Sequence, residues 1–329
     1  MNENRSTGAR LDRLLLGEAR YTREELAELV GLPHDQARAL WRALGFADVP
    51  DGVRMFTDLD LEALRRVRVL IDSGHIDPRL AVRISRALGY TTARLAIWQG
   101  TALVEHLAET GQLGEDAERR GERAYEIAAE LIPELEWLLI YAWRRHFAAA
   151  ATRFVPAAAD EEVALFTLAV GFADLVDYTE LSRQLNEREL AELVDVFEEH
   201  AADTIAGAGG RLIKTIGDEV LFVADEPDTA AEIGLRLVEE LDALHNLPKL
   251  RVGIAYGSVI GRQGDVYGTT VNLASRLTTL APASTVVIDP AMAEALAGDE
   301  RYELIPMPQR SVHGFGLVEP LRLRRQHAG

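Results

Sequence analysis

Six polar residues in the C-terminal half are spaced so that they could serve one reaction. Asp174 ends an apolar run that begins at Val163 and passes through Gly171-Phe172-Ala173. Asp218 stands in Ile216-Gly217-Asp218, the hinge between two short apolar segments of the stretch Gly209–Ala224. β-branched runs of this length, bounded by Gly, read as buried strands. Gly217 permits the tight turn that lifts the Asp218 carboxylate to the sheet edge. If the two strands are neighbours, two carboxylates meet there, and buried like charges are unfavourable without compensation. A divalent cation is the usual compensation; oxygen ligands favour Mg²⁺ or Mn²⁺, with phosphate completing the shell. Spacing alone favours the plainer reading of two unrelated turn aspartates.

Lys214 lies four residues before Asp218, near the end of the first segment. Only two of the 35 basic residues are Lys, at 214 and 249. A chain so biased to Arg that keeps Lys here fits a compact single-point donor, not a fork; a chance Lys in a surface hairpin fits as well. A third stretch runs from Gly264 through Asp265, Tyr267 and Gly268 to Arg276. Asn272 and Arg276 are i,i+4 and share one helix face. Val271, Leu273, Ala274 and Leu277 can pack that helix onto a core. Asn and Arg at the edge of a packed helix can aim at a phosphate or a ribose, although a solvated Arg and a mid-helix Asn need no such purpose.

The elements that must position these residues follow from residue 160 onwards. A capping box, Asn186-Glu187-Arg188-Glu189, starts a helix to about Ala206. A helix over about 228–245, a strand Leu250–Tyr256 and a helix Thr269–Leu280 follow. Strand and helix alternate to about residue 325, which argues a layered α/β or α+β sheet. The chain before residue 160 is helical in texture. Thr22 and Glu25 form a capping box ahead of Leu26, Leu29 and Val30, and Gly31 ends that helix. Pro33 opens a second, with Ala37, Leu40, Trp41 and Leu44 on one face, which makes a helix-turn-helix pattern. Helices broken at Gly89, Gly100 and Gly111 are expected over 75–112. A long tract, 115–152, is weakened at Pro133. Its apolar side, Trp137, Ile140, Tyr141 and Phe147, calls for a partner, another subunit. Ala148–Asp160 reads as a linker. The expected partition is therefore 1–114, 115–159 and 160–329.

Composition sets limits. With 329 residues, two domains are expected. The absence of Cys excludes disulfides, thiolate metal sites and Cys nucleophiles, and suits the cytoplasm. No run of 18 apolar residues is present, so no helical membrane span is expected. The net charge of −18 is uneven. Residues 1–100 carry 15 Arg against 14 Asp and Glu, so the acidic excess lies in the rest, which repels nucleic acid backbones.

Phe172-Ala173-Asp174, Lys214-x-x-Gly217-Asp218 and Asp265-x-Tyr267-Gly268-x-x-Val271-Asn272-x-x-x-Arg276, in this order, resemble the catalytic domain of class III adenylate cyclases. The resemblance covers about residues 160–325. It implies an α+β catalytic domain with a ferredoxin-like core sheet and flanking helices, behind an all-α N-terminal domain. It implies that Asp174 and Asp218, with the Leu175 backbone carbonyl, hold two Mg²⁺ or Mn²⁺ ions. Lys214 and Asp265 would read adenine, Lys donating to the ring N1 and Asp accepting from the 6-amino group. Guanine presents the opposite pattern, so GTP would leave buried polar groups unpaired. Asn272 would orient the ribose, and Arg276 would stabilise charge on the α-phosphate. The family places metal residues and base residues on opposite sides of a dimer interface, so a homodimer with two composite sites is implied. One departure stands out. The family often has Lys-Gly near the C-terminus against the triphosphate; here the stretch reads Arg310-Ser311-Val312-His313-Gly314, with His313 in the place of that Lys and Arg310 near.

The N-terminal half resembles the regulatory domain of some actinobacterial cyclases of this class, which inhibits and confers an acid response. Residues 20–70 loosely resemble the DNA-binding module of MerR-type regulators. Two other functions compete. Ile216-Gly217-Asp218-Glu219-Val220 resembles the hairpin signature of diguanylate cyclases, although the second Gly and final Phe are missing; a guanylate cyclase differs in base choice alone. A DNA-binding regulator with a nucleotide-sensing, non-catalytic domain is the third reading.

Overall fold

A computed structural model of the chain describes residues 2–113, 117–157, 165–244, 247–262 and 264–326. The chain divides into two compact units, residues 1–152 and 153–329. The expected boundaries at 114/115 and 159/160, and the strand start at Val163-Ala164, lie outside the described residues.

The first unit is helical. It contains α1 (Asn2–Leu16), α2 (Arg23–Val30), α3 (His34–Ala43), α4 (Asp58–Asp72) and α5 (Pro78–Glu109), and it holds most of α6 (Ala117–Ala157). Thr22 caps α2 in the expected box with Glu25, and Thr57 caps α4 in a second box with Asp60. Leu26, Val49, Phe56 and Leu61 form one small core; Leu32, Leu40 and Ala81 form another. Helix α5 is one unbroken rod of 32 residues, so Gly89 and Gly100 do not break it. Gly89 instead allows close approach: a Cβ there would run into the Leu44 backbone. Gly111, at φ +66°, does stand just past the helix end. The expected linker from Ala148 is helical as far as Ala157, and α6 also runs through Pro133. Ala148–Ala151 and the Ala-, Glu- and Leu-rich flanks of Pro133 are strong helix formers.

The second unit is built on one mixed sheet. Its strands are β1 (Leu165–Leu175), β2 (Arg211–Ile216), β3 (Glu219–Ala224), β4 (Leu250–Arg262), β5 (Asp265–Tyr267), β6 (Thr285–Ile288), β7 (Tyr302–Pro306) and β10 (Leu321–Arg325). The order is β2-β3-β1-β4-β6-β10-β7, with β5 paired to β4. Only β4 and β6 run parallel among these pairs. A separate hairpin joins β8 (Arg310–Val312) to β9 (Gly316–Val318). Helices α7 (Tyr178–Leu181), α8 (Glu187–Gly207), α9 (Pro227–Ala243), α10 (Thr269–Leu280) and α11 (Pro290–Ala295) complete the unit. Strand β4 continues to Arg262, past the expected end at Tyr256, because β5 folds back and pairs with its last residues.

Strand alternation sorts the sheet's residues to two faces. Ala169, Ala173 and Leu175 pack with Phe197 and Ile205 of α8 and with Ile233, Leu237 and Leu241 of α9. Leu168, Val170 and Phe172 pack on the other face with Ala274 and Leu277 of α10. This α+β layering matches the expected class. Among the described residues no helix is long and apolar enough to cross a membrane.

Candidate active site

Asp174 is the penultimate residue of β1 and follows Phe172 on the α10 side of the sheet by alternation. Register places it directly opposite Glu219 on β3 and Arg251 on β4. Asp218 occupies the β2–β3 turn, where Gly217 adopts φ +64°, a conformation in which other residues are strained. The Leu175 amide donates to the Asp218 carbonyl at 3.1 Å, which ties the end of β1 to that turn. The two carboxylates expected to meet therefore do meet. Asp174, Leu175, Asp177, Tyr178, Asp218 and Arg251 are among the residues lining an open cleft of about 470 Å³.

The electrostatics are those of crowded acids. Burial raises the Asp218 carboxyl above its usual range, and the Asp174 charge adds to the effect. Glu219 is pushed up to about 7, first by burial and then by the charges of Asp174 and Asp218. Arg251 opposes both shifts. Its Nε donates to Asp174 Oδ2 at 2.7 Å, and its Nη2 reaches the same oxygen. Among the described residues no three His, Cys, Asp or Glu side chains form a cage for a metal. Two carboxylates and the Leu175 carbonyl nonetheless offer hard oxygen donors on an open cleft. That set fits Mg²⁺ or Mn²⁺ if substrate oxygens and water complete the shell.

A second group forms elsewhere on the same unit. Lys214 Nζ bonds Asp265 Oδ2 at 2.6 Å, and the Val266 amide donates to Asp265 Oδ1 at 2.8 Å. The β-turn sets Lys214 opposite Leu221, on the α10 side, and a bulge at Ile213 then returns Leu212 to Phe222. Asp265 is brought in by β5, which pairs with the far end of β4 at Arg262. Helix α10 is clipped down by Thr270, which donates to the Ser258 carbonyl at 2.8 Å, and by buried Ala274, Leu277 and Thr278. Asn272 and Arg276 are left on its exposed face, with no side-chain partner among the described residues.

Lys214, Asp265, Asn272 and Arg276 are absent from the walls of the carboxylate cleft. Arg310 and His313 are exposed on the β8–β9 hairpin and line neither group. Sequence reading missed two residues of the acidic row. Arg251 is one Arg in an Arg-rich chain, and Glu219 follows Asp218 without any spacing signal; only cross-strand register marks them. In the helix-turn-helix of the first unit, Arg42 is held by Asp48, and Arg38 lies 4.0 Å from Asp51. Both bases of its second helix are thus already matched by acids.

Comparison with known proteins identifies relatives of the chain. The family model for the adenylate and guanylate cyclase catalytic domain matches residues 162–321. An adenylate cyclase of Streptomyces coelicolor is 46% identical across 97% of this chain and 90% of its own. A pH-sensitive adenylate cyclase of Mycobacterium tuberculosis is 30% identical across 91% of this chain and 74% of its own. A crystal structure of the adenylyl cyclase CyaB from P. aeruginosa aligns with a TM-score of 0.46 and 22% identity, over 51% of this chain and 100% of that one. A catalytic-domain match on the unit that carries both polar groups, inside a relationship spanning nearly the whole sequence, has one consequence: the chain belongs to the class III adenylate cyclases.

Proposed function

We propose that this chain converts ATP to 3′,5′-cyclic AMP and pyrophosphate at sites shared between two copies of itself. The observation that carries the reading is the separation of the two groups. Asp174 and Asp218 line one cleft; Lys214 and Asp265 pair outside it. A nucleotide spanning both kinds of wall is accommodated when the cleft of one protomer faces the base-reading residues of its partner. Ile216, Ile260 and Tyr267 are exposed apolar residues beside these groups and suit such a contact.

In the reaction the ribose 3′-oxygen bonds to the α-phosphorus, the bond to the bridging β-phosphate oxygen breaks, and pyrophosphate leaves. The hydroxyl proton passes to solvent. Attacking and attacked atoms belong to one molecule, so orientation and charge stabilisation dominate. Asp174, Asp218 and the Leu175 carbonyl would hold the divalent cations, two in our reading, whose chemistry when bound would be charge neutralisation and acidification of the hydroxyl. Lys214 and Asp265, already aligned on each other, present a donor and an acceptor to the adenine edge. Asn272 orients the ribose, and Arg276 offsets charge on the α-phosphate. His313 and Arg310 are assigned to the triphosphate only through their place in sequence. The N-terminal unit regulates this reaction, with pH as the signal; the pH-sensitive mycobacterial relative supports that part.

Mixing Asp218→Ala and Arg276→Ala chains tests the shared site. Each homodimer is inactive, whereas a mixed dimer has one site with both lesions and one with neither. Activity should recover to about a quarter of wild type at random exchange, half the dimers being mixed with one good site each. A mixture that stays inactive while tagged heterodimers are recovered would place the whole site within one chain.

A further inference from the structure

Asp174 does not stand free in its cleft. Glu219, Asp174 and Arg251 form one row across β3, β1 and β4. Directly opposed residues on one face of a sheet sit close enough for their side chains to meet. Here Nε and Nη2 of Arg251 both converge on Oδ2 of Asp174. The Asp174 side chain is 13% exposed and the Arg251 side chain 30%. Asp177 and Asp218, the other aspartates of the cleft, have no ion-pair partner among the described residues. Arg251 is therefore the cation bonded to Asp174; Arg183 also lines the cleft, with no ion pair to these aspartates among the described residues. A guanidinium stays charged at any working pH, so it cannot yield Asp174 by losing a proton. It yields only by moving.

We propose that Arg251 is a built-in rival of the divalent cation, holding the Asp174 carboxylate until a cation takes that carboxylate over. Cation entry is then an exchange of partners, not an addition to a waiting ligand. The inference rests on the reading of Asp174 and Asp218 as cation ligands. It differs in sign from a purely orienting role. A partner that merely aims a metal ligand strengthens metal binding, and its loss weakens affinity by about 10–100-fold. A rival weakens binding, and its loss tightens it.

Mn²⁺ binding to the full chain without nucleotide, followed by electron paramagnetic resonance and calorimetry, decides between them. The component lost in Asp174→Asn belongs to this site. Arg251→Gln should tighten that component about tenfold, of the order by which partners of metal ligands shift affinity. Arg251→Lys should fall between wild type and Arg251→Gln, because the charge persists while the forked contact is lost. Circular dichroism checks folding; should Arg251→Gln misfold, Arg251→Met keeps the length and packing of the stem and carries the comparison. Unchanged or weaker Mn²⁺ binding in the folded neutral variant overturns the inference and leaves the metal site standing. If Asp174→Asn removes no Mn²⁺ component, the metal reading falls and this inference falls with it.

Discussion

Glu219 concentrates the cost of crowding acids at one sheet edge. Its carboxyl is held at about 7 against an ordinary 4.5, with burial the main cause. The folded chain thus keeps this proton across a range where the unfolded chain has lost it. Unfolding releases the proton between pH 4.5 and about 7, so the folded state loses stability as pH rises through that window. Glu219→Gln removes the titration. In chelator, its melting temperature should match wild type near pH 4 and exceed it at pH 8. Thermal melts at pH 4, 6 and 8 read the gap. A gap independent of pH would mean that Glu219 ionises as freely in the folded chain as in the unfolded one. The same reasoning explains why an acidic wall of this kind needs Arg251 or a cation.

At the scale of elements, two glycines in α5 show how one residue type does opposite work. Gly89 lies against the backbone of Leu44, where a Cβ has no room; Gly100 faces open space. Ala is the better helix former by about 1 kcal/mol. Gly100→Ala should therefore stabilise the first unit by roughly 0.5–1 kcal/mol. Gly89→Ala must push α5 away from the end of α3 and should destabilise it by about 1–3 kcal/mol, the range for overpacking. Denaturant unfolding followed by tryptophan fluorescence measures both, since all four Trp lie in this unit. Equal effects of the two substitutions would mean that α5 and α3 do not touch there.

For the whole molecule, the long helix α6 is the element to explain. Trp137 stacks on Tyr141 with ring centroids 5.5 Å apart, and Trp143 lies 5.2 Å from Phe147. All four rings are exposed. We propose that this aromatic surface is a contact site, covered by a second copy of the chain in the dimer proposed above. A dimer built through both units would let the helical half bias how the catalytic pair closes. Removing residues 1–150 should then change both the rate of cyclic AMP formation and its pH optimum. Superimposable pH–rate profiles with and without those residues would remove the regulatory assignment.

Much of this protein was legible along the chain. Capping boxes at Thr22 and Asn186, the Gly217 turn and the α10 pattern are local, and a few neighbouring residues decide them. The approach of Asp174 to Asp218 was accessible only through the family resemblance, since spacing alone favours two unrelated turn aspartates. Helix continuity through Gly89 was not legible, since packing against α3 overrides the weak local preference of Gly; at Gly100, which faces open space, a single Gly costs only about 1 kcal/mol within a long helix. Nor was the side of the sheet that Lys214 occupies. Strict alternation from Leu212 puts Lys214 on the face of α8 and α9, but the extra residue at Ile213 puts it on the other, within reach of Asp265. Arg251 and Glu219 lie 77 and 45 positions from Asp174 in sequence and directly beside it in the sheet. Sequence by itself determined most of the strands and capped helices and marked candidate residues for the chemistry. Which of those residues share a wall was decided by strand register and one bulge, because pairing between strands is settled by long-range packing that no local pattern records.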